Sequence, residues 1–153
     1  MNKSLLLVIT FVFGITSVSF LLHKENHTLD FNALYIGKTG EIETPGNKIE
    51  IFNYLRFYDD GTVITQAVSA YDPKTVSKWF HPEGRFERSG TYKINKNEIT
   101  FSVSNDNSPD KKLEGARTDQ YSGKILEDGK LELTIKYASG KSKTTQYDPV
   151  KIE

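Results

Sequence analysis

The chain of 153 residues contains no cysteine, which excludes a disulfide framework, a thiolate metal site and a lipidated cysteine at an export junction. Its formal charge is zero, with 20 basic and 20 acidic residues, so nothing in the charge argues for a nucleic-acid partner or an anionic membrane surface, and we expect neither for the folded part. A protein without disulfides must obtain its stability from packing alone. Aromatic residues, at 12% of the chain, are numerous enough to supply that packing and are typical of strands.

Residues with the spacing of an active site are also scarce. His23 and His27 lie four residues apart with no third ligand near them, so we interpret them as solvated linker residues. His81 is expected at a helix C-terminus, where a structural role is sufficient. The neighbours Asp59 and Asp60 are too close together for an acid–base pair across a cleft, and two carboxylates do not make a calcium loop. With no recognisable catalytic motif, we expect no enzyme, no cofactor and no metal.

The N-terminal 22 residues are typical of a targeting segment. Lys3 supplies a positive charge, and an apolar stretch runs from Leu5 to Leu22. Ser17 and Ser19 place small residues before a candidate cleavage point, which favours a signal peptide. The alternative is an uncleaved membrane anchor, because the apolar stretch is just long enough to span a bilayer. Under both interpretations the rest of the chain lies outside the cytoplasm, either secreted or periplasmic, or tethered to the membrane.

Beyond a polar linker at 23–30, the remaining residues 31–153 alternate between apolar strands and polar turns. The clearest example is Tyr54 to Ile64, where an Asp-Asp-Gly turn separates two apolar runs and predicts a β-hairpin. The same plan recurs to the end of the chain. We expect eight strands, at about Leu34–Gly37, Ile49–Tyr58, Thr62–Ser69, Arg85–Ile94, Ile99–Val103, Thr118–Leu126, Lys130–Tyr137 and Lys143–Ile152.

Two features interrupt the simple strand pattern. The strand Ile49–Tyr58 carries apolar side chains on both faces, so we expect a core on one side and a helix, linker, ligand or partner on the other. Asp72 followed by proline then predicts the start of a short helix at 73–80. The spacing of Val76, Trp79 and Phe80 places them on one helical face. We expect this helix to cap one end of the sheet or barrel.

Sequential antiparallel strands form an up-and-down meander, and eight of them can close into a barrel. The strand order, the opening Tyr35-Ile36-Gly37, the hairpin turn Asp60-Gly61-Thr62 and the strand Gly90-Thr91-Tyr92 resemble the small lipocalin-like, calycin-type barrels of exported bacterial proteins. This resemblance covers roughly residues 34–152 and implies an all-β barrel, closed or partly open. Such a barrel is either filled by its own side chains or holds one small ligand.

Five residues are candidates for ligand binding: Tyr54, Arg56, Tyr58, Trp79 and Phe80. The first three share one strand face. In a barrel lumen they could hold an anionic or planar ligand by stacking and charge-assisted hydrogen bonds. On an outer face they would form a structural ladder, which is the interpretation we favour. Trp79 and Phe80 would either gate a ligand or plug the barrel end, and we favour the plug.

The sequence therefore predicts a non-catalytic binding module for a small apolar ligand or a protein partner, with membrane contact only through the N-terminal segment. The alternative is a structural or interaction protein of the cell envelope, with a filled barrel and no ligand. The two differ in their interiors. A binder of small ligands requires a cavity of a few hundred Å³, whereas an interaction protein requires a packed interior and an exposed aromatic patch.

Overall fold

The computed structural model describes residues 28–69, 71–80, 88–105 and 117–152, so the targeting segment, most of the linker, and His81 lie outside the described residues. Eight antiparallel strands follow one another in chain order and close into a barrel, which confirms the predicted up-and-down architecture. Closure comes from β8, which pairs with the start of β1. The strands are β1 (Ala33–Thr44), β2 (Asn47–Phe57), β3 (Thr62–Val68), β4 (Arg88–Asn95), β5 (Glu98–Ser104), β6 (Thr118–Ile125), β7 (Leu131–Lys136) and β8 (Ser142–Lys151).

The first strand is three times as long as the sequence predicts. We expected Leu34–Gly37, followed by turn signals at Gly40 and at Pro45-Gly46, but β1 has 12 residues and continues to Thr44. A β-bulge between Lys38 and Gly40 keeps the strand paired with β2 past the glycine. The turn comes at the second of these signals, between Thr44 and Asn47, where Gly46 adopts a φ of 81° that favours glycine.

The acidic turn residues have the structural role that the sequence predicts. An Asp60 carboxylate oxygen accepts a hydrogen bond from the Thr62 N–H at 2.8 Å, and Gly61 adopts a φ of 88°. Asp128 likewise accepts from the Lys130 N–H at 3.1 Å. Each carboxylate therefore closes its own tight turn by a local side-chain to backbone hydrogen bond.

The barrel interior is packed by aromatic and aliphatic side chains. Phe57 lies among three other rings in edge-to-face geometry, with centroid distances of 5.4 Å to Tyr35, 5.3 Å to Tyr92 and 5.6 Å to Phe101. The buried members of this inner cluster are Leu29, Ala33, Tyr35, Leu55, Phe57, Val63, Ile99, Phe101, Val103, Tyr121, Ile125, Leu131, Leu133, Ile135 and Tyr147. Burial of Leu29 shows that the folded part includes the end of the expected linker.

A second apolar cluster, the outer cluster, lies on the outside of the barrel wall, and its buried members are Leu34, Ile36, Tyr54, Ile64, Val76 and Phe80. Successive residues of a strand face opposite sides, so Leu55 and Phe57 point inward whereas Tyr54 points outward. The outer cluster is covered by residues 71–80, which we call the cover segment. It contains the predicted helix, α1 (Pro73–Val76), followed by a 3₁₀ turn (Ser77–Trp79). The prediction that β2 is covered on both faces is confirmed, with the helix as the outer cover.

Candidate binding surface

The cover segment begins as the sequence predicts but does not lie over a barrel end. The Asp72 side chain caps the helix by accepting a hydrogen bond from the Thr75 N–H at 3.1 Å, with Pro73 in the first turn. Val76 and Phe80 are then buried against the outward-facing side chains of β1, β2 and β3. The segment is therefore a cover on the side wall, with its apolar side chains directed at the sheet.

Three of the sequence-predicted site residues hold the cover segment in place. The Asp72 N–H donates to the Tyr54 hydroxyl at 3.1 Å, which fixes the start of the segment. Arg56 Nη1 and the Tyr58 hydroxyl both donate to the Phe80 carbonyl oxygen, at 3.2 and 2.9 Å, which fixes its end. The Arg56 guanidinium also lies 5.1 Å from the centre of the Tyr58 ring. Burial raises the pKa of the Tyr54 phenol above its ordinary value.

These contacts place the three residues on the outer wall, where the sequence favours a structural ladder. In the structure these three side chains also hold the cover segment against the sheet, in addition to packing along their own strand. Binding of a ligand by Tyr54, Arg56 and Tyr58 stays a prediction. The hydrogen-bonding groups described above already contact the cover segment.

Trp79 and Phe80 have opposite environments. Phe80 is 1% exposed, whereas Trp79 is 46% exposed, so the prediction that both share the buried face of a helix is wrong for Trp79. Helical spacing does not apply to Phe80, because its backbone has left the helix (φ −86°, ψ 74°). Tyr71, at the other end of the segment, is 59% exposed, with its ring edge-on to Phe52 at 5.3 Å. The cover segment thus presents two large aromatic side chains to solvent.

A groove of about 510 Å³ runs between the cover segment and the end of β8. Val150 and Ile152, which are partly buried, belong to the edge of the outer apolar cluster and line the groove on the barrel side. The other lining residues are Tyr71, Asp72, Pro73, Lys74, Ser77, Lys78 and Lys151. The groove therefore combines an apolar side with three ammonium groups and one carboxylate.

The carboxylate of the groove is already engaged. Hydrogen bonds from Thr75 hold the pKa of Asp72 below its ordinary value, and the charge of Lys78 contributes to the same shift. None of the ion pairs found among the described residues includes Lys74, Lys78 or Lys151. The groove is consequently a net-positive surface beside exposed aromatic rings.

The opposite side of the barrel carries a depression of a different character. It has a volume of about 560 Å³ and lies over the outer faces of β4 to β7. Its lining side chains from the outer face are hydroxyls, one amide and two ammonium groups, at Thr91, Lys93, Thr100, Ser102, Gln120, Ser122, Thr134, Lys136 and Ser142. No large apolar side chain is exposed there among the described residues, and we call this face the control surface.

Polar groups inside the barrel were not foreseen from the sequence. Arg88 and Asp119 form an ion pair at 2.6 Å, with the Asp119 side chain only 8% exposed. Asn53 accepts a hydrogen bond from the Thr65 hydroxyl at 3.0 Å and lies 3.4 Å from the Tyr121 hydroxyl. Burial raises the pKa of Tyr121 to about 12. Strand alternation places Asp119 inward. Its neighbours in the sequence are polar, so the local sequence does not indicate that this side chain is buried.

No family model matches this chain, and it matches no curated protein and no solved structure. Among the described residues no group of three or more potential metal ligands comes together. In the same residues no helix is long and apolar enough to cross a membrane. Function must therefore be inferred from the geometry of the surfaces described above.

Proposed function

We propose that this protein is a non-catalytic interaction module, exported or tethered by its N-terminal segment, that binds another protein through the cover segment and the adjoining groove. The observation that carries the proposal is the pair of exposed aromatic residues, Tyr71 and Trp79, on a short segment fixed at both ends by hydrogen bonds. Tyrosine and tryptophan are enriched in protein–protein interfaces because they supply large contact areas with few rotatable bonds.

The packing of the barrel interior supports the same proposal. The inner cluster has 15 buried members among the described residues, and the rings of Phe57, Phe101 and Tyr121 contact one another in sequence within it. A binder of apolar ligands inside the barrel requires that central space for the ligand. A relationship to the lipocalin-like exported barrels remains part of the proposal, as does location outside the cytoplasm.

The proposal is tested by photo-crosslinking at two exposed positions. A photoreactive phenylalanine analogue replaces Trp79 in one variant and Ser102, on the control surface, in the other, and both full-length chains are produced in the native host. We expect a discrete protein adduct from position 79 and none from position 102. Equal adducts from both positions, or none from either, would contradict the proposal.

A second candidate is the binding of a small apolar ligand in the groove. It is favoured by the groove volume of about 510 Å³, which lies within the range of known ligand sites, and by the apolar residues Val150 and Ile152. Mass spectrometry of the protein extracted under native and denaturing conditions distinguishes the two candidates. A small molecule present in stoichiometric amount only under native conditions would favour the second.

A further inference from the structure

From the groove we infer that the protein partner inserts an acidic segment with interspersed apolar side chains between the cover segment and β8. This inference rests on the proposed function and adds the chemistry of the partner. It concerns residues that the sequence did not single out, namely Lys74, Lys78, Lys151, Val150 and Ile152.

The net charge of the groove determines the sign of the charge that the partner segment carries. Among the described lining residues, Lys74, Lys78 and Lys151 place three positive charges around a space of about 510 Å³, and Asp72 supplies one negative charge. That carboxylate caps the helix through the Thr75 N–H, so it is oriented toward the backbone of its own segment. Carboxylates of a partner would therefore meet ammonium groups in excess, which increases both association rate and specificity.

The apolar side of the groove indicates which other side chains the partner segment carries besides carboxylates. Val150 and Ile152 face outward from the end of β8 and are packed only partly against the outer cluster. An apolar side chain placed on them would continue the packing of Val76 and Phe80 and exclude water from it. A purely acidic chain would leave these residues exposed, and a purely apolar ligand would leave the lysines without counter-charges. A segment that carries both acidic and apolar side chains can pair with the lysines and also cover Val150 and Ile152.

The exposed aromatic residues favour a protein segment over a free amphiphile. Tyr71 lines the groove, and Trp79 follows Lys78 directly on the same segment. A partner that occupies the groove and also contacts Trp79 covers a surface wider than a small molecule requires. Such an extended surface, with aromatic anchors beside a charged rim, is typical of protein–protein contacts.

The test uses three synthetic hexapeptides and the fluorescence of Trp79, the only tryptophan in the chain. The probe peptide alternates aspartate or glutamate with leucine. One control peptide replaces its acidic residues with lysine, and the other replaces its leucines with serine. We expect saturable binding of the probe to the full-length protein, and at least tenfold weaker binding of each control peptide. Equal binding of the acidic and lysine peptides would overturn the inference.

Charge-reversal variants then locate the site. The double variant Lys74→Glu, Lys78→Glu should weaken binding of the probe peptide by roughly tenfold or more, because it replaces attraction with repulsion. The matched double variant Lys93→Glu, Lys136→Glu makes the same charge change on the control surface and should alter binding by less than about twofold. Equal weakening by both would overturn the inference.

Binding to vesicles containing phosphatidylglycerol, with no binding of the peptide, would also overturn it by assigning the lysines to a lipid surface.

The inference can fail while the proposed function stands. If the protein adduct obtained from position 79 is unchanged by Lys74→Glu, Lys78→Glu, the partner uses the aromatic residues without the groove charges, and the acidic segment is excluded. If no adduct forms at position 79 in any variant, the proposed function itself is contradicted.

Discussion

Strand β2 separates two apolar clusters that are built in different ways. On its inner face, Leu55 and Phe57 belong to a cluster that has 15 buried members among the described residues and that the barrel wall surrounds. On its outer face, Tyr54 belongs to a smaller cluster, in which four buried residues of the strands pack against Val76 and Phe80 of the cover segment. The sheet encloses the inner cluster, whereas the outer one has an edge at Val150 and Ile152 that lines the groove. The comparison indicates that the interior is the larger source of packing, and the open edge of the outer cluster is where the proposed partner would bind.

The largest expected effect comes from breaking the inner cluster. Phe57→Ala should reduce the free energy of unfolding by about 3–5 kcal/mol, because the phenylalanine is fully buried and contacts three other rings. Urea titration monitored by circular dichroism measures the change. Tyr71→Ala is the control and should change stability by less than about 0.5 kcal/mol. A loss below about 1 kcal/mol for Phe57→Ala would show that the interior is not the main source of stability.

Breaking the outer cluster should have a smaller and more local effect. Phe80→Ala should cost about 2 kcal/mol, since a buried aromatic side chain is removed from a cluster with one open edge. Hydrogen exchange should accelerate at the amides of the cover segment while those of β5 to β7 remain protected. Uniform acceleration in all strands would contradict the separation of the two clusters.

The free energy of unfolding should also fall at alkaline pH, because of a buried tyrosine in the barrel interior. The folded protein keeps Tyr121 protonated up to a pKa of about 12, whereas in the unfolded chain the phenol ionises with its ordinary pKa of 10.0. The unfolded state thus binds fewer protons between these values, so the contribution is complete below pH 10 and is lost as pH rises toward 12. We expect a fall of about 2 kcal/mol from this residue. In Tyr121→Phe the pH dependence should be shallower, and an unchanged slope would assign it to other tyrosines.

The hydrogen bonds that hold the cover segment should contribute less than either cluster. Arg56→Ala should cost about 1 kcal/mol, because Tyr58 still donates to the Phe80 carbonyl oxygen. We expect faster hydrogen exchange at the Phe80 end of the segment and an intact barrel by circular dichroism. Loss of the β-sheet spectrum in this variant would show that Arg56 supports the barrel itself.

The smallest effect on stability should come from Trp79, the residue that we propose as the binding anchor. Trp79→Ala should change the free energy of unfolding by less than about 0.5 kcal/mol, since the side chain is 46% exposed. The same variant should weaken partner binding by tenfold or more, as expected for an aromatic anchor. Thermal unfolding and affinity measurement on one preparation check both values. A large loss of stability would instead place Trp79 among the structural residues.

The fold could be predicted from the sequence because each strand carries its own signal. Alternation with a period of two marked the strands, the Asp-Gly turns marked the hairpins, and Asp72-Pro73 marked the start of the helix. The end of β1 was missed, because Gly40 is a turn signal in sequence, whereas the bulge that retains it in the strand depends on pairing with β2.

The binding surface was less predictable because it depends on which elements meet. Apolar residues such as Val76 and Phe80 give the same pattern whether they cover a barrel end or its wall. The groove needs β8 to close against β1 before Val150 can approach Lys74 and Lys78, and these residues are more than 70 positions apart in the chain. No local pattern encodes that contact. Tyr54, Arg56 and Tyr58 could be placed on one face of a two-sided strand from the sequence, and the structure shows that face holding the cover segment; their role in ligand binding stays a prediction.

Native mass spectrometry of the full-length protein isolated from its host, compared with its Trp79→Ala variant, tests the central claim most directly. We predict that the natural chain retains a protein partner, that it carries no stoichiometric small molecule, and that Trp79→Ala loses the partner while remaining folded. A small molecule retained equally by both chains would contradict the account, because the ligand would then be held away from the cover segment.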